Sequence, residues 1–150
     1  MNTTTVAPIL MSVTVPLAPP DAFELFTARI GDWWPLKSGH SLTVERAAGC
    51  TIEPFAGGRV FEHSVDGEQH DWGKVLAFEP PHRLAMTWHP GGGPETEVEV
   101  RFTAADDGTY VELEHRGWEV FGTDAEEARR GYEQGWPFVF SECFAKAAGV

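Results

Sequence analysis

The chain has 150 residues, the size of one ordinary domain, and a chain of that length buries about 68–70% of its unfolded surface on folding. With 11 Lys and Arg against 23 Asp and Glu, its formal net charge of −12 repels phosphate backbones and anionic headgroups, which argues against nucleic acid and acidic membrane surfaces as partners. An apolar fraction of 42% beside 23% charged residues separates it from disordered sequences and predicts one cored domain over 1–150, with a Thr-rich flexible tail at 1–5.

The longest near-apolar run at the front, Val6 to Met11, follows no basic residue and is far shorter than the roughly 20 residues that span a bilayer. The sequence therefore predicts neither signal peptide nor membrane insertion. Cys50 and Cys143 are the two cysteines; so sparse a pattern predicts small buried hydrophobes rather than a disulfide framework, and with it a cytoplasmic location.

Residues 9–17 are rich in β-branched side chains and stop at prolines, which predicts a first strand. Ala22, Phe23, Leu25, Phe26 and Ile30 recur at helical spacing behind Asp21 as cap, so a short helix is expected over 21–30. Gly31 to Leu36, with Trp33-Trp34-Pro35, reads as a short helical turn closing one end of a core or cavity. Period-two segments follow at 42–54, 58–64, 70–79, 83–89, 95–103 and 109–118, joined by Gly, Pro and Asp turns, an antiparallel meander of six strands. Thr96, Val98, Val100 and Phe102 share one face, as do Leu84, Met86 and Trp88, and Val111, Leu113 and His115; their alternation marks the inner side of the sheet. From Thr123 the period returns to helical, interrupted by Gly131, Gly135 and Pro137, so a long helix with a kink or break near Trp136-Pro137 is expected.

Several segments carry a likeness beyond this order: Ala22-Phe23-Glu-Leu-Phe26, Trp33-Trp34-Pro35, Glu53-Pro54-Phe-Ala-Gly57-Gly58-Arg-Val-Phe61-Glu62, Trp72-Gly73-Lys-Val75, Glu79-Pro80-Pro81, Thr87-Trp88, His115-Arg-Gly117-Trp118 and Gly135-Trp136-Pro137. The chain resembles the START-like (SRPBCC) superfamily, and within it the bacterial branch similar to the activator of the heat-shock-protein ATPase. The resemblance implies an α+β helix-grip fold, a curved six- to seven-stranded antiparallel sheet around a long C-terminal helix with two short helices after the first strand. It also implies a hydrophobic cavity between sheet and helix, used by relatives to hold lipids, polyketides or other aromatic molecules and in some to catalyse cyclisation or hydrolysis.

The aromatic complement is large for a core of this size, and Trp33, Trp34, Phe61, Trp72, Trp88, Trp118, Tyr132, Trp136 and Phe140 either fill such a cavity or line it. The expected ligand-binding set is Trp33, Trp34, Phe61, Trp72, Trp88, Val98, Val100, Phe102, His115, Tyr132, Trp136 and Phe140. His115 stands out as an imidazole on an apolar face: it would contact a ligand, act with Tyr132 as general acid or base, or sit satisfied by one hydrogen bond. His63 and His70 flank one loop, and Asp71, His40 or His89 would have to complete any metal site, but these spacings match no metal motif. No metal or cofactor is expected. Ser41 and Ser64 follow histidines on extended segments whose neighbours point oppositely, which disfavours a serine triad. Outward carboxylates such as Glu97, Glu99, Glu112 and Glu114 read as a solvated face.

The resulting expectation is a protein, monomeric or homodimeric, that encloses a small hydrophobic molecule of lipid-like or aromatic, polyketide-like type. Two other classes stay open: a cyclase or hydrolase that uses a cavity histidine, and a co-chaperone-like module that meets a protein partner through its acidic surface.

Overall fold

The structure, a computed structural model, describes residues 6–150; the tail expected at 1–5 lies outside the described residues. Seven antiparallel strands form one sheet: β1 (Ile9–Val15), β2 (Ala47–Ile52), β3 (Arg59–Ser64), β4 (Gln69–Glu79), β5 (Arg83–Trp88), β6 (Thr96–Ala105) and β7 (Gly108–Arg116). Their order is β1-β7-β6-β5-β4-β3-β2, so the meander runs from β2 to β7 and the first strand closes onto the last. The sheet curves around the C-terminal helical segment, the α+β helix-grip arrangement.

Curvature has local causes. The β3–β4 register slips between Val60 and Phe61, a bulge that bends the strand pair. Gly73 stands beside it, where a Cβ would lie 1.9 Å from the carbonyl oxygen of Thr87. Only a residue without a side chain lets β4 approach β5 this closely.

The first helix, α1 (Pro19–Phe26), begins two residues before its expected start, with prolines in its first turn. Their fixed φ and missing N–H suit that position, so Ala18 rather than Asp21 is the capping residue. It ends early because Thr27 turns its Oγ1 back onto the carbonyl of Phe23 at 2.7 Å; a separate 3-10 turn over Ile30–Asp32 follows, and another over Leu36–Ser38 lies beyond Trp33-Trp34-Pro35.

The strand expected over 42–54 is shorter: residues before Ala47 form turns, with a 3-10 segment at Val44–Arg46. Here the amides of Leu42 and Thr43 donate to the carboxylate of Glu62 instead of to a neighbouring strand.

The C-terminal segment runs as α2 (Ala125–Trp136), a π-helical stretch Pro137–Phe144 and α3 (Ala145–Ala147). Pro137 keeps helical backbone angles, φ −55° and ψ −41°, so the helix does not break. The missing N–H is absorbed by wider π-type spacing, in which the amide of Ala145 reaches the carbonyl of Phe140.

Under the helix lie the inner residues of β5 to β7, with Leu84, Met86, Val98, Val100, Phe102, Val111 and Leu113 almost wholly buried. The outer face is not uniformly solvated: Ala85, Thr87 and Glu99 are all buried there. Glu99 is only 7% exposed, held by Arg83 at 2.6 Å, Arg116 at 2.7 Å and Arg101 at 3.3 Å. These guanidiniums keep its carboxyl below the usual range against the opposing effect of burial. Among the described residues no helix is long and apolar enough to cross a membrane.

Candidate functional site

Between the inner sheet face, the turn after α1 and the helix α2 lies a cavity of about 410 Å³. The sheet supplies Trp72 from β4 and Trp88 from β5; the turn supplies Trp34 and the segment Gly39 to Leu42; α2 supplies Glu127, Ala128, Gly131, Tyr132, Gly135 and Trp136. The helical contributors recur at three- and four-residue spacing, so they form one stripe of the helix. Glycine at 131 and 135 leaves room where larger side chains would close the space. A Cβ on Gly131 would meet no atom within 4 Å, and one on Gly135 would meet the His40 ring at 3.4 Å.

Four tryptophans form the box. The ring of Trp34 lies 5.2, 5.7 and 5.9 Å from those of Trp72, Trp88 and Trp136, within the range in which tilted and edge-on aromatic pairs attract. Three of the four are anchored through their N–H groups. Trp34 donates to the carbonyl of His40 at 2.8 Å, Trp72 to Glu62 at 2.8 Å, and Trp136 to Nδ1 of His115 at 2.9 Å. The N–H of Trp88 completes no hydrogen bond, although the residue is only 4% exposed.

Two buried polar side chains anchor Trp72 and Trp136. Glu62 on β3 is fully buried; it accepts from Trp72, from the amides of Leu42 and Thr43, and from the Thr43 hydroxyl at 2.6 Å. Burial opposes its charge, but these donors outweigh burial and hold the carboxyl below its ordinary range. One carboxylate thus fixes both a wall and the rim segment.

His115 is the second. It is fully buried, with Trp118 and Tyr132 packed on its ring at 4.3 and 4.8 Å. Because an indole N–H only donates, Nδ1 accepts from Trp136 and Nε2 carries the hydrogen. Nε2 donates to Thr96 Oγ1 at 2.7 Å, and Thr96 donates to the carbonyl of Trp88 at 2.9 Å. Both ring nitrogens are occupied, and burial pushes the imidazole down to about 3. The ring is neutral and has no free nitrogen for a ligand or a proton transfer. It acts as a strut between two walls.

Of the twelve residues expected to bind ligand, the cavity brings together Trp34, Trp72, Trp88, Tyr132 and Trp136. The others lie elsewhere. Trp33 donates to the carbonyl of Leu25 and packs on Phe26 and Phe144; Phe140 stacks on Phe144 at 5.6 Å; Phe102 meets Phe23 and Phe26. Val98 and Val100 are core residues. Phe61 faces away, under the guanidinium of Arg59 at 4.4 Å, because the inward positions of β3 belong to Val60, Glu62 and Ser64.

The imidazole that does reach the cavity is His40, whose partial burial lowers its basicity. Burial raises the Tyr132 phenol. Ser41 is committed: its hydroxyl donates to Leu36 and accepts from Val44. His40, Gly131, Gly135 and Glu127 carry no motif that would assign them to a cavity in advance; the one signal in the sequence is small residues at i and i+4, each followed by an aromatic, Tyr132 or Trp136. Both cysteine thiols are pushed up, Cys50 to about 12 by burial, which makes them poor nucleophiles. Among the described residues no group of three or more His, Cys, Asp or Glu side chains is placed to hold a metal.

Comparison with known proteins adds three likenesses. An anthrahydroquino-gamma-pyrone synthase, Txn09, solved as a complex, is 34% identical over 95% of this chain and 97% of its own, with a TM-score of 0.63. Protein MLL2253 from Mesorhizobium loti is 20% identical over 91% of this chain and 93% of its own, with a TM-score of 0.63. DynU16, from the dynemicin biosynthetic locus, is 18% identical over 94% of this chain and 46% of its own, with a TM-score of 0.60. The last two likenesses are of fold alone. No curated protein matches. The family described as activator of Hsp90 ATPase homolog 1-like protein matches residues 18–147, and over those residues lie strands β2 to β7, the aromatic box and the helix that closes it: the chain belongs to this family.

Proposed function

We propose that the cavity binds a flat aromatic small molecule of polyketide type. The observation that carries this reading is the unfilled space itself, walled by four tryptophan rings and Tyr132. Ring faces offer area and stacking to a planar apolar ligand and little to a flexible polar one. The 34% identity to a synthase of an anthrahydroquino-gamma-pyrone supports the same ligand class. The test is a thermal-shift and tryptophan-fluorescence screen against planar polycyclic aromatics. A ligand present at 100 times its Kd would stabilise the fold by about 2.7 kcal/mol and quench the box tryptophans. A panel that gives neither effect would overturn the reading.

That likeness also favours a second reading, in which the cavity promotes a ring closure on its ligand. The groups facing the space that can exchange a proton are His40, Tyr132 and Glu127. This reading expects His40→Ala or Tyr132→Phe to slow turnover of a bound precursor while binding persists, a kcat effect without a matching KM effect. His115 has no part in it except as support.

A further inference from the structure

Tryptophan N–H groups can only donate, so counting where each of them goes shows what the cavity lacks. Five of the six tryptophans donate within the protein: Trp33, Trp34, Trp72, Trp118 and Trp136. Trp88 does not, and its Nε1 is buried. A buried donor left without an acceptor costs roughly 1–3 kcal/mol, and such groups are rare enough that each needs a reason. The residue cannot shift to find a partner, because its carbonyl is held by Thr96 and its ring is wedged among Trp34, Trp72 and Trp136.

The group its N–H turns toward is the Tyr132 hydroxyl, without completing a hydrogen bond in this structure. When the phenol oxygen accepts from Trp88, its own hydrogen needs an acceptor. The rings packed behind Tyr132 supply none: both nitrogens of His115 are engaged, and Trp118 is a donor. The remaining direction is the cavity, which Tyr132 lines. The other walls present ring surface whose N–H groups are already committed, together with His40 and the exposed Glu127, neither of which hydrogen-bonds Tyr132.

We propose that Trp88 and Tyr132 form a donor pair in series, in which Trp88 donates to the Tyr132 phenol oxygen and the Tyr132 hydroxyl donates to one hydrogen-bond-accepting oxygen, a carbonyl or enolate, on the edge of the bound ring system. This rests on the aromatic-ligand reading above and adds the ligand's polarity and its orientation. The oxygen-bearing edge lies against Tyr132, the hydrocarbon edge among Trp34, Trp72 and Trp136.

Two planar tricycles that differ at one bridging carbon, 9-fluorenone with its single carbonyl oxygen and fluorene with none, test it by tryptophan-fluorescence titration of wild type and Tyr132→Phe. The wild type is expected to prefer the ketone by roughly fivefold. Tyr132→Phe, which removes one oxygen from a half-buried ring, should bring that preference to near one. Infrared spectra give a second readout: the ketone carbonyl band moves to lower frequency on binding wild type and stays in place with the variant. Equal wild-type affinity for both tricycles, or a preference that the variant retains, overturns the donor pair and leaves the aromatic cavity standing. Failure of both tricycles to bind overturns the two readings together.

Discussion

Trp136 on the closing helix donates its indole N–H to Nδ1 of His115 on β7 at 2.9 Å, so a cavity wall is tied to the sheet through an imidazole that never meets the cavity. The rest of the tie runs through Thr96 to the carbonyl of Trp88. This is why a polar residue occupies an apolar face: the position demands a group that accepts on one side and donates on the other, which neutral imidazole does.

The tie is sensitive to acid in a calculable direction. His115 has an ordinary value of 6.5 in the unfolded chain and about 3 when folded. As pH falls through 6.5 the unfolded chain takes up a proton that the folded chain refuses. Stability present above pH 6.5 is therefore lost progressively toward pH 3, by about 1.4 kcal/mol at pH 5.5. His115→Gln should be less stable at pH 7.5 but show a flatter profile between pH 6.5 and 5 in urea titrations. His40, also lowered by burial, leaves a smaller slope in the variant, and His40→Gln separates the two.

Glu62 has the opposite chemistry and a similar role. Glu62→Gln keeps the shape but replaces one acceptor oxygen with a donor that faces other donors, so it should destabilise the fold by about 2–3 kcal/mol. Trp72 and the Leu42–Thr43 rim would loosen together. The expected signature is a red-shifted tryptophan emission and greater quenching by acrylamide at temperatures well below Tm. A variant that loses stability with unchanged emission would show that Glu62 does not hold the wall.

On the outer face, Glu99 and Glu97 share a strand and a side but not an environment. Glu99 is enclosed by three guanidiniums, whereas the Glu97 side chain is 43% exposed and 3.9 Å from Arg116. Glu99→Ala leaves like charges facing one another and should cost about 2–3 kcal/mol, against no more than about 0.5 kcal/mol for Glu97→Ala. Chemical denaturation of the two variants side by side gives the comparison, and added salt should narrow the gap.

The order of elements was legible because strands and helices write different periods into the chain, and the inward faces of β5, β6 and β7 follow from alternation alone. Where side chains override backbone pattern, the reading failed. Residues 42–46 alternate like a strand, yet the Glu62 carboxylate takes the amides that a strand would need. In β3 a carboxylate points inward and Phe61 outward, an inversion of the apolar rule that makes sense only once Trp72 and the rim are seen around Glu62. The site was half legible for a related reason. Aromatic excess marks Trp34, Trp72, Trp88, Tyr132 and Trp136 as a group, but a cavity is a place where atoms are missing, and Phe140, one turn beyond Trp136 on the same face, lies over packed core instead of over the gap. The interruptions at Gly131 and Gly135 read as helix breakers, whereas both lie within an unbroken α2 and face the empty space.

Those glycines give the sharpest separation of stability from function. Gly131 has helical backbone, and a Cβ at that position would meet nothing within 4 Å, so Gly131→Ala should stabilise the helix by up to about 1 kcal/mol. Gly131→Leu has the same helical advantage and sends a branched side chain into the cavity, where it buries against aromatic walls instead of water. Its expected behaviour is a Tm at or above wild type together with at least a tenfold loss of affinity for any polycyclic ligand that the screen identifies. A stable Gly131→Leu protein that still binds such a ligand at full strength would place the binding site outside the tryptophan box. A protein that unfolds would mean that the space is needed by the fold itself, since a ligand cavity can be filled without penalty and a strained core cannot.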